Sequence, residues 1–120
     1  GIYSQIEVNR GLPLPLLVKY FQKVEDGWQI KPELKQGVEF RQMNLIETWQ
    51  GLPRFDLVMM RNVLIYFDLE TRRKILNRIQ NIIHPSGALF LGASETTLNI
   101  VDTWKAETCG RTPVYRIKDG

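Results

Sequence analysis

The stretch Asp56-Leu57-Val58-Met59-Met60, followed by a helical pattern and then by Ala88-Leu89-Phe90-Leu91-Gly92, decides the fold. Asp56 to Met60 is a short apolar run preceded by Gly51 and Pro53, which predicts a strand buried on both faces, as parallel strands are. Asp68 is placed to cap the next helix, with Glu70 in its first turn. Ile75, Leu76, Ile79, Ile82 and Ile83 form one apolar stripe, and Arg72, Arg73, Asn77, Arg78 and Gln80 the opposite, polar one. Pro85 and Gly87 end the helix, and His84 before them is placed to serve its C-terminus. Strand, helix of about 16 residues, strand is a βαβ unit, hence a parallel pair and an α/β fold.

Outward from this unit, Trp104 to Cys109 and Val114 to Lys118 read as an antiparallel hairpin closing the domain. Upstream, Leu14, Leu17, Val18, Phe21 and Val24 recur at helical spacing, with Pro13 and Pro15 near the start where proline is tolerated. Glu25-Asp26-Gly27 is a turn between β-prone pieces and predicts a small hairpin near 22–31. Pro32 to Gln36 fits one helical turn ended at Gly37. Val38-Glu39-Phe40-Arg41-Gln42 alternates as a strand does and runs into Asn44-Leu45.

At 120 residues, with 43% hydrophobic and 24% charged, the chain has the make-up of one globular domain or a large piece of one. No apolar stretch approaches the ~20 residues a spanning helix needs, and no signal-peptide core is present, so a soluble, cytoplasmic protein is expected. Cys109 is the one cysteine and His84 the one histidine, so an intrachain disulfide and a Cys/His zinc cage are both excluded. The net charge of +3 is mild and dispersed, and the densest run, Arg72-Arg73-Lys74, reads as a solvated helix face rather than a phosphate stripe. The opening Gly1-Ile2-Tyr3-Ser4 has no initiator Met, as expected of a piece of a longer protein.

Ligands of open parallel sheets bind beyond the carboxyl ends of the strands. Three segments stand there: Met43-Asn44-Leu45 after the alternating strand, Arg61 to Phe67, and Ala93-Ser94-Glu95-Thr96. Arg61-Asn62 interrupts an otherwise apolar run. An arginine in such company calls for an acidic partner or an anionic ligand, the other reading being loop polarity with Asn62 in a turn. Tyr66 has two readings: a ring packed on the domain, or a hydroxyl aimed into a cleft at the sheet edge. Gly92-Ala93-Ser94-Glu95-Thr96 lacks the last glycine of a nucleophile elbow, and His84 is ill placed for a triad, so a Ser-His hydrolase is not expected. Neither G-x-x-x-x-G-K-[ST] nor G-x-G-x-x-G occurs.

The run Phe55-Asp56-Leu57-Val58-Met59-Met60-Arg61-Asn62-Val63-Leu64-Ile65-Tyr66-Phe67-Asp68 resembles the signature of the CheR-type chemotaxis receptor glutamate methyltransferases. Phe40-Arg41-Gln42-Met43-Asn44-Leu45 is similar to that family's preceding strand and N-L turn. His84-Pro85-Ser86-Gly87 and Gly92-Ala93-Ser94-Glu95 resemble its P-x-G strand and G-x-S-E loop. The resemblance spans nearly all of the chain. It implies a partial Rossmann-like class I SAM methyltransferase sheet, its later strands with a C-terminal antiparallel hairpin. The first strands and an N-terminal helical domain would lie upstream of Gly1.

By this resemblance the full-length protein transfers methyl from S-adenosylmethionine to glutamate side chains of chemoreceptors, releasing S-adenosylhomocysteine and using no metal. Asn44 and Leu45 would border the adenine, and Met60, Arg61 and Asn62 would face the methionine portion. Arg61 and Tyr66 would line the transfer site as catalytic residues, Tyr66 orienting the acceptor carboxylate and Arg61 holding its charge. The partner is the cytoplasmic domain of a methyl-accepting receptor, with no nucleic acid and no membrane insertion. The short Glu25-Asp26-Gly27 turn argues against the receptor-tail tethering that some members perform by strand addition. The 120 residues alone are expected to be inactive and to self-associate through exposed strand edges. Two alternatives are a non-catalytic signalling interaction module on the same fold and a nucleic-acid methyltransferase. The second lacks the aromatic-proline acceptor motifs of the amino-methylating types.

Overall fold

A computed structural model describes residues 1–97 and 100–119, and these fall into two compact units, Gly1–Gln42 and Met43–Gly120. In the first, β1 (Ile2–Tyr3), β2 (Phe21–Val24) and β3 (Gly27–Ile30) form an antiparallel sheet in the order β1-β3-β2. Three short helices accompany it: α1 (Gln5–Val8), α2 (Leu14–Tyr20) and α3 (Pro32–Lys35). Ser4 and Glu7 form a reciprocal capping box on α1, which satisfies two otherwise orphaned amides. Gly27 takes φ 144° at the end of the turn, a conformation side chains rarely adopt. The Trp28 indole N–H donates to Gln5 Oε1 at 2.9 Å, and Tyr3 meets Phe21 edge-on with ring centroids 5.8 Å apart.

The helical spacing over residues 14–24 is cut short. The helix ends at Tyr20 because Phe21–Val24 pair residue for residue with Gly27–Ile30, and ladder hydrogen bonds outweigh a helical continuation. Val38–Gln42, expected as a strand, runs as irregular chain with Phe40 93% exposed. An alternating pattern needs a neighbouring edge for its backbone groups, and no ladder partner stands beside it among the described residues.

In the second unit β4 (Phe55–Met60), β5 (Ile83–Leu91), β6 (Trp104–Cys109) and β7 (Thr112–Ile117) are ordered β4-β5-β7-β6. β4 and β5 are parallel and joined through α4 (Leu69–Ile82), and β7 runs antiparallel to both β5 and β6. This is the expected mixed α/β sheet, a Rossmann-like half with a C-terminal hairpin. Asp68 caps α4 by accepting the Thr71 N–H at 2.8 Å. That bond holds its carboxyl below the usual aspartate range, with Lys74 and Arg72 adding smaller attractions. β5 begins at Ile83 rather than Ala88, and the register against β4 slips between Phe55↔Ile83 and Leu57↔Ala88. His84 therefore lies in the slipped part of a strand, 4.0 Å from Asp56 Oδ1, rather than at the helix end.

Ile75, Leu76 and Ile79 of α4 are wholly buried against Leu89, Leu91, Trp104 and Tyr115. Each such aliphatic side chain stabilises the fold by about 1.5–3 kcal/mol. Val58 and Met60 pack on this core, whereas Leu57 and Met59 are 51% and 66% exposed. The expectation that β4 is buried on both faces thus fails: among the described residues it ends the sheet, and α4 covers only one of its faces.

Candidate functional site

The chain leaves the end of β4 through Arg61 and Asn62. Asn62 adopts φ 59°, the left-handed region that asparagine tolerates better than most residues. A 3₁₀ turn, Leu64–Tyr66, follows, and Leu64 anchors it in the core. This loop is organised by a residue 30 positions away. Glu95, only 8% exposed, accepts the Asn62 N–H at 2.6 Å and the Gly92 N–H at 2.8 Å on Oε1, and the Ile65 N–H at 3.2 Å on Oε2. A buried carboxylate is costly unless hydrogen-bonded, and these charge-assisted bonds meet that need. The Tyr115 hydroxyl donates to the Glu95 carbonyl at 3.4 Å. Gly92 is glycine for want of space: a Cβ there would fall on Asn62 Oδ1 and 2.6 Å from Glu95 Oε1.

α4 grips the loop from its carbonyl side. Arg72 donates through Nε to the Phe67 carbonyl at 2.7 Å and through Nη2 to the Ile65 carbonyl at 3.4 Å. Arg73 Nε donates to the Ile100 carbonyl at 3.1 Å, and Arg78 Nη1 to the Leu45 carbonyl at 2.7 Å. The run read as a solvated face is therefore mostly a set of loop fasteners. Lys74 alone behaves as expected, pairing with Glu70 one turn back at 3.3 Å. Arg78 has no acidic residue three or four positions away, a hint in the sequence that its partner lay elsewhere. Glu95 stood in a quoted motif, but nothing local reveals that its carboxylate turns back onto its own strand end and the preceding strand's loop.

An apolar groove of about 290 Å³ runs along β4, lined among others by Met43, Leu45, Trp49, Leu57, Met59 and Met60. Two of the expected cofactor residues, Leu45 and Met60, thus share one surface. Leu45 is held there through its carbonyl, which accepts from Arg78 and from the Trp49 indole N–H at 3.2 Å. Asn44 is exposed and its side-chain oxygen caps its own turn by accepting the Ile46 N–H at 3.0 Å. Asn62 contributes a backbone bond to Glu95 rather than a groove wall. Arg61 and Tyr66 ride on the same loop; both are exposed, Tyr66 by 81%, and neither side chain has a hydrogen bond or ion pair among the described residues. The acidic partner expected for Arg61 is not found there, and Tyr66 does not pack its ring on the domain.

The groove can be tested against S-adenosylmethionine. Its indole, thioether and aliphatic lining suits an adenine ring and the alkyl carbons beside a sulfonium, so these residues fit the apolar side of that group. The lining contains no acidic side chain for ribose hydroxyls or a methionyl ammonium.

Strand order, parallel βαβ unit and antiparallel closing hairpin define the later half of a Rossmann-like methyltransferase sheet. The chain belongs to the CheR family: the profile for the CheR methyltransferase, SAM binding domain, matches residues 1–112. It is 42% identical over 119 residues to a protein of Pseudomonas aeruginosa named chemotaxis protein methyltransferase 1, covering 98% of this chain and 43% of that one. A chemotaxis protein methyltransferase of Pseudomonas putida is 39% identical with the same coverage. One from Borreliella burgdorferi is 37% identical over 98 residues, 80% of this chain and 34% of that protein. The chain spans about two fifths of the length of the first two relatives. No helix among the described residues is long and apolar enough to cross a membrane.

Proposed function

We propose that the protein to which these residues belong transfers methyl from S-adenosylmethionine to glutamate side chains on the cytoplasmic domain of a methyl-accepting chemoreceptor, and does so in the cytoplasm. The observation that carries this reading is the clamped loop: the Arg61 and Tyr66 side chains have no hydrogen bond or ion pair among the described residues, on a backbone fastened by Glu95 and Arg72. Side chains held this way are available to a ligand without first breaking an internal contact.

When bound, the cofactor supplies an electrophilic methyl group on a positively charged sulfur. Leu45 and Met60 would pack against its apolar parts, and Arg61 and Asn62 after Met60 would hold its methionine portion. The groove lining offers no acidic side chain to its ribose hydroxyls or ammonium, and on this reading the 120 residues alone are inactive. A glutamate carboxylate is ionised at neutral pH and needs no strong base. Arg61 holds its charge and Tyr66 orients it by donating a hydrogen bond, so the chain's part is placement, which is worth up to about 7–11 kcal/mol of barrier.

The test is transfer of labelled methyl to the receptor domain by the full-length protein, with Tyr66→Phe beside wild type. Turnover should fall at least tenfold while cofactor affinity stays within about twofold, as expected when a contact made only in the transition state is removed. Unchanged turnover removes Tyr66 from the mechanism. Cofactor binding without any methyl incorporation would support a non-catalytic signalling module instead.

A further inference from the structure

We propose that Glu95 and Arg72 are positioning residues for methyl transfer, a two-pole clamp that sets where the Tyr66 hydroxyl and the Arg61 guanidinium stand; this deepens, and rests on, the reading just given. The loop from Asn62 to Phe67 is held by its amide hydrogens on one side and by its carbonyls on the other. The amides of Asn62 and Ile65 point to one buried anion, at 2.6 and 3.2 Å. The carbonyls of Ile65 and Phe67 accept from one cation, at 3.4 and 2.7 Å. Ile65, next to Tyr66, is held at both poles.

Opposite charges from two separate elements therefore converge on one backbone segment. Glu95 follows β5 and Arg72 belongs to α4, and both line the same small cavity of about 60 Å³ with Leu64 and Ile65. The side chains of Arg61 and Tyr66 have no hydrogen bond or ion pair of their own among the described residues, so their placement is inherited from this backbone. A neutral partner could satisfy the same amides at lower desolvation cost. The ionised carboxylate offers acceptors on both oxygens, and this geometry uses both.

Glu95→Gln isolates the effect. The carboxamide keeps the shape, but either flip sets an NH₂ against a backbone N–H; with oxygen toward Asn62 and Gly92, the NH₂ opposes Ile65. The 3₁₀ turn loses its anchor while the core beneath it is unchanged. Arg72→Lys is the second variant: an ammonium cannot reproduce the planar fork that spans two carbonyls.

Steady-state kinetics of the full-length protein with receptor domain, at a temperature where every variant is fully folded, should show kcat down about 10–100-fold in Glu95→Gln, the range a ~1 Å misplacement produces. KM for the cofactor should stay within about twofold. The amide resonances of Asn62, Ile65 and Gly92 should shift, with those of α4 in place. Arg72→Lys should lower kcat in the same direction. Wild-type kcat in Glu95→Gln with the amides displaced overturns the positioning role alone. A loss of rate that merely follows thermal unfolding overturns it as well. Failure of the wild-type protein to transfer methyl at all overturns the enzymatic reading, and the amide shifts then still report whether the clamp exists.

Discussion

Replacing Gly92 by alanine inserts one methyl group where the clamp leaves no room. The new Cβ would fall on Asn62 Oδ1, lie 2.6 Å from Glu95 Oε1 and 3.0 Å from the Asn62 nitrogen. These neighbours differ in what they can yield. The Asn62 carboxamide belongs to an exposed residue and can swing aside. Glu95 Oε1 cannot, because it accepts two backbone N–H groups at 2.6 and 2.8 Å, and the Asn62 nitrogen is backbone. Overpacking costs about 1–3 kcal/mol, and a lost hydrogen bond to a charged group about 1.5–3 kcal/mol. The two overlap, so the expected loss is about 2–4 kcal/mol. Urea unfolding followed by tryptophan fluorescence, to which buried Trp104 contributes, should show a lower midpoint, by about 1 M or more, at unchanged slope. Adding Asn62→Gly, which removes the yielding side chain and tolerates φ 59°, should recover little of this. Full recovery in the double variant, or a midpoint for Gly92→Ala within about 0.2 M of wild type, would refute the claim that a fixed carboxylate occupies that space.

Two further outcomes test the supports of the loops. Arg78→Ala removes the donor to the Leu45 carbonyl, so hydrogen exchange across residues 44–50 should accelerate by about tenfold while α4 exchanges as before; unchanged exchange would mean Trp49 alone holds the segment. Asp68, held below the usual aspartate pKa chiefly by the Thr71 N–H, contributes stability that is complete above about pH 4 and is lost as pH falls through its lower folded value. Asp68→Asn keeps a capping side chain and should flatten that part of the acid limb; parallel curves for the two proteins between pH 5 and 2 would contradict it.

How much of this was legible beforehand differs from residue to residue. The Ile75-Leu76-Ile79 stripe and the Asp68 cap could be read because helix periodicity and capping act within a few residues. The parallel pairing of β4 with β5 followed from the length and apolar character of the pieces. The split of residues 14–24 into helix and strand could not be read, because Phe21 is claimed by Ile30 across a hairpin. Nor could the failure of Val38–Gln42 to form a strand, since alternation says which face is apolar and not whether an edge is at hand. At the site, Leu45 and Met60 line one groove, whereas Asn44 and Asn62 spend their described bonds on local and loop structure.

The motif from Arg61 to Tyr66, the family it marks and the α/β class were set by residue order alone, because apolar period and turn chemistry are local properties. The fastening of that motif was decided only in three dimensions. A carboxylate 30 residues downstream and the Arg72 guanidinium, on a helix face read as solvated, meet the loop's backbone because the chain folds back over its own sheet, and a buried charge takes whatever backbone groups that packing brings within reach.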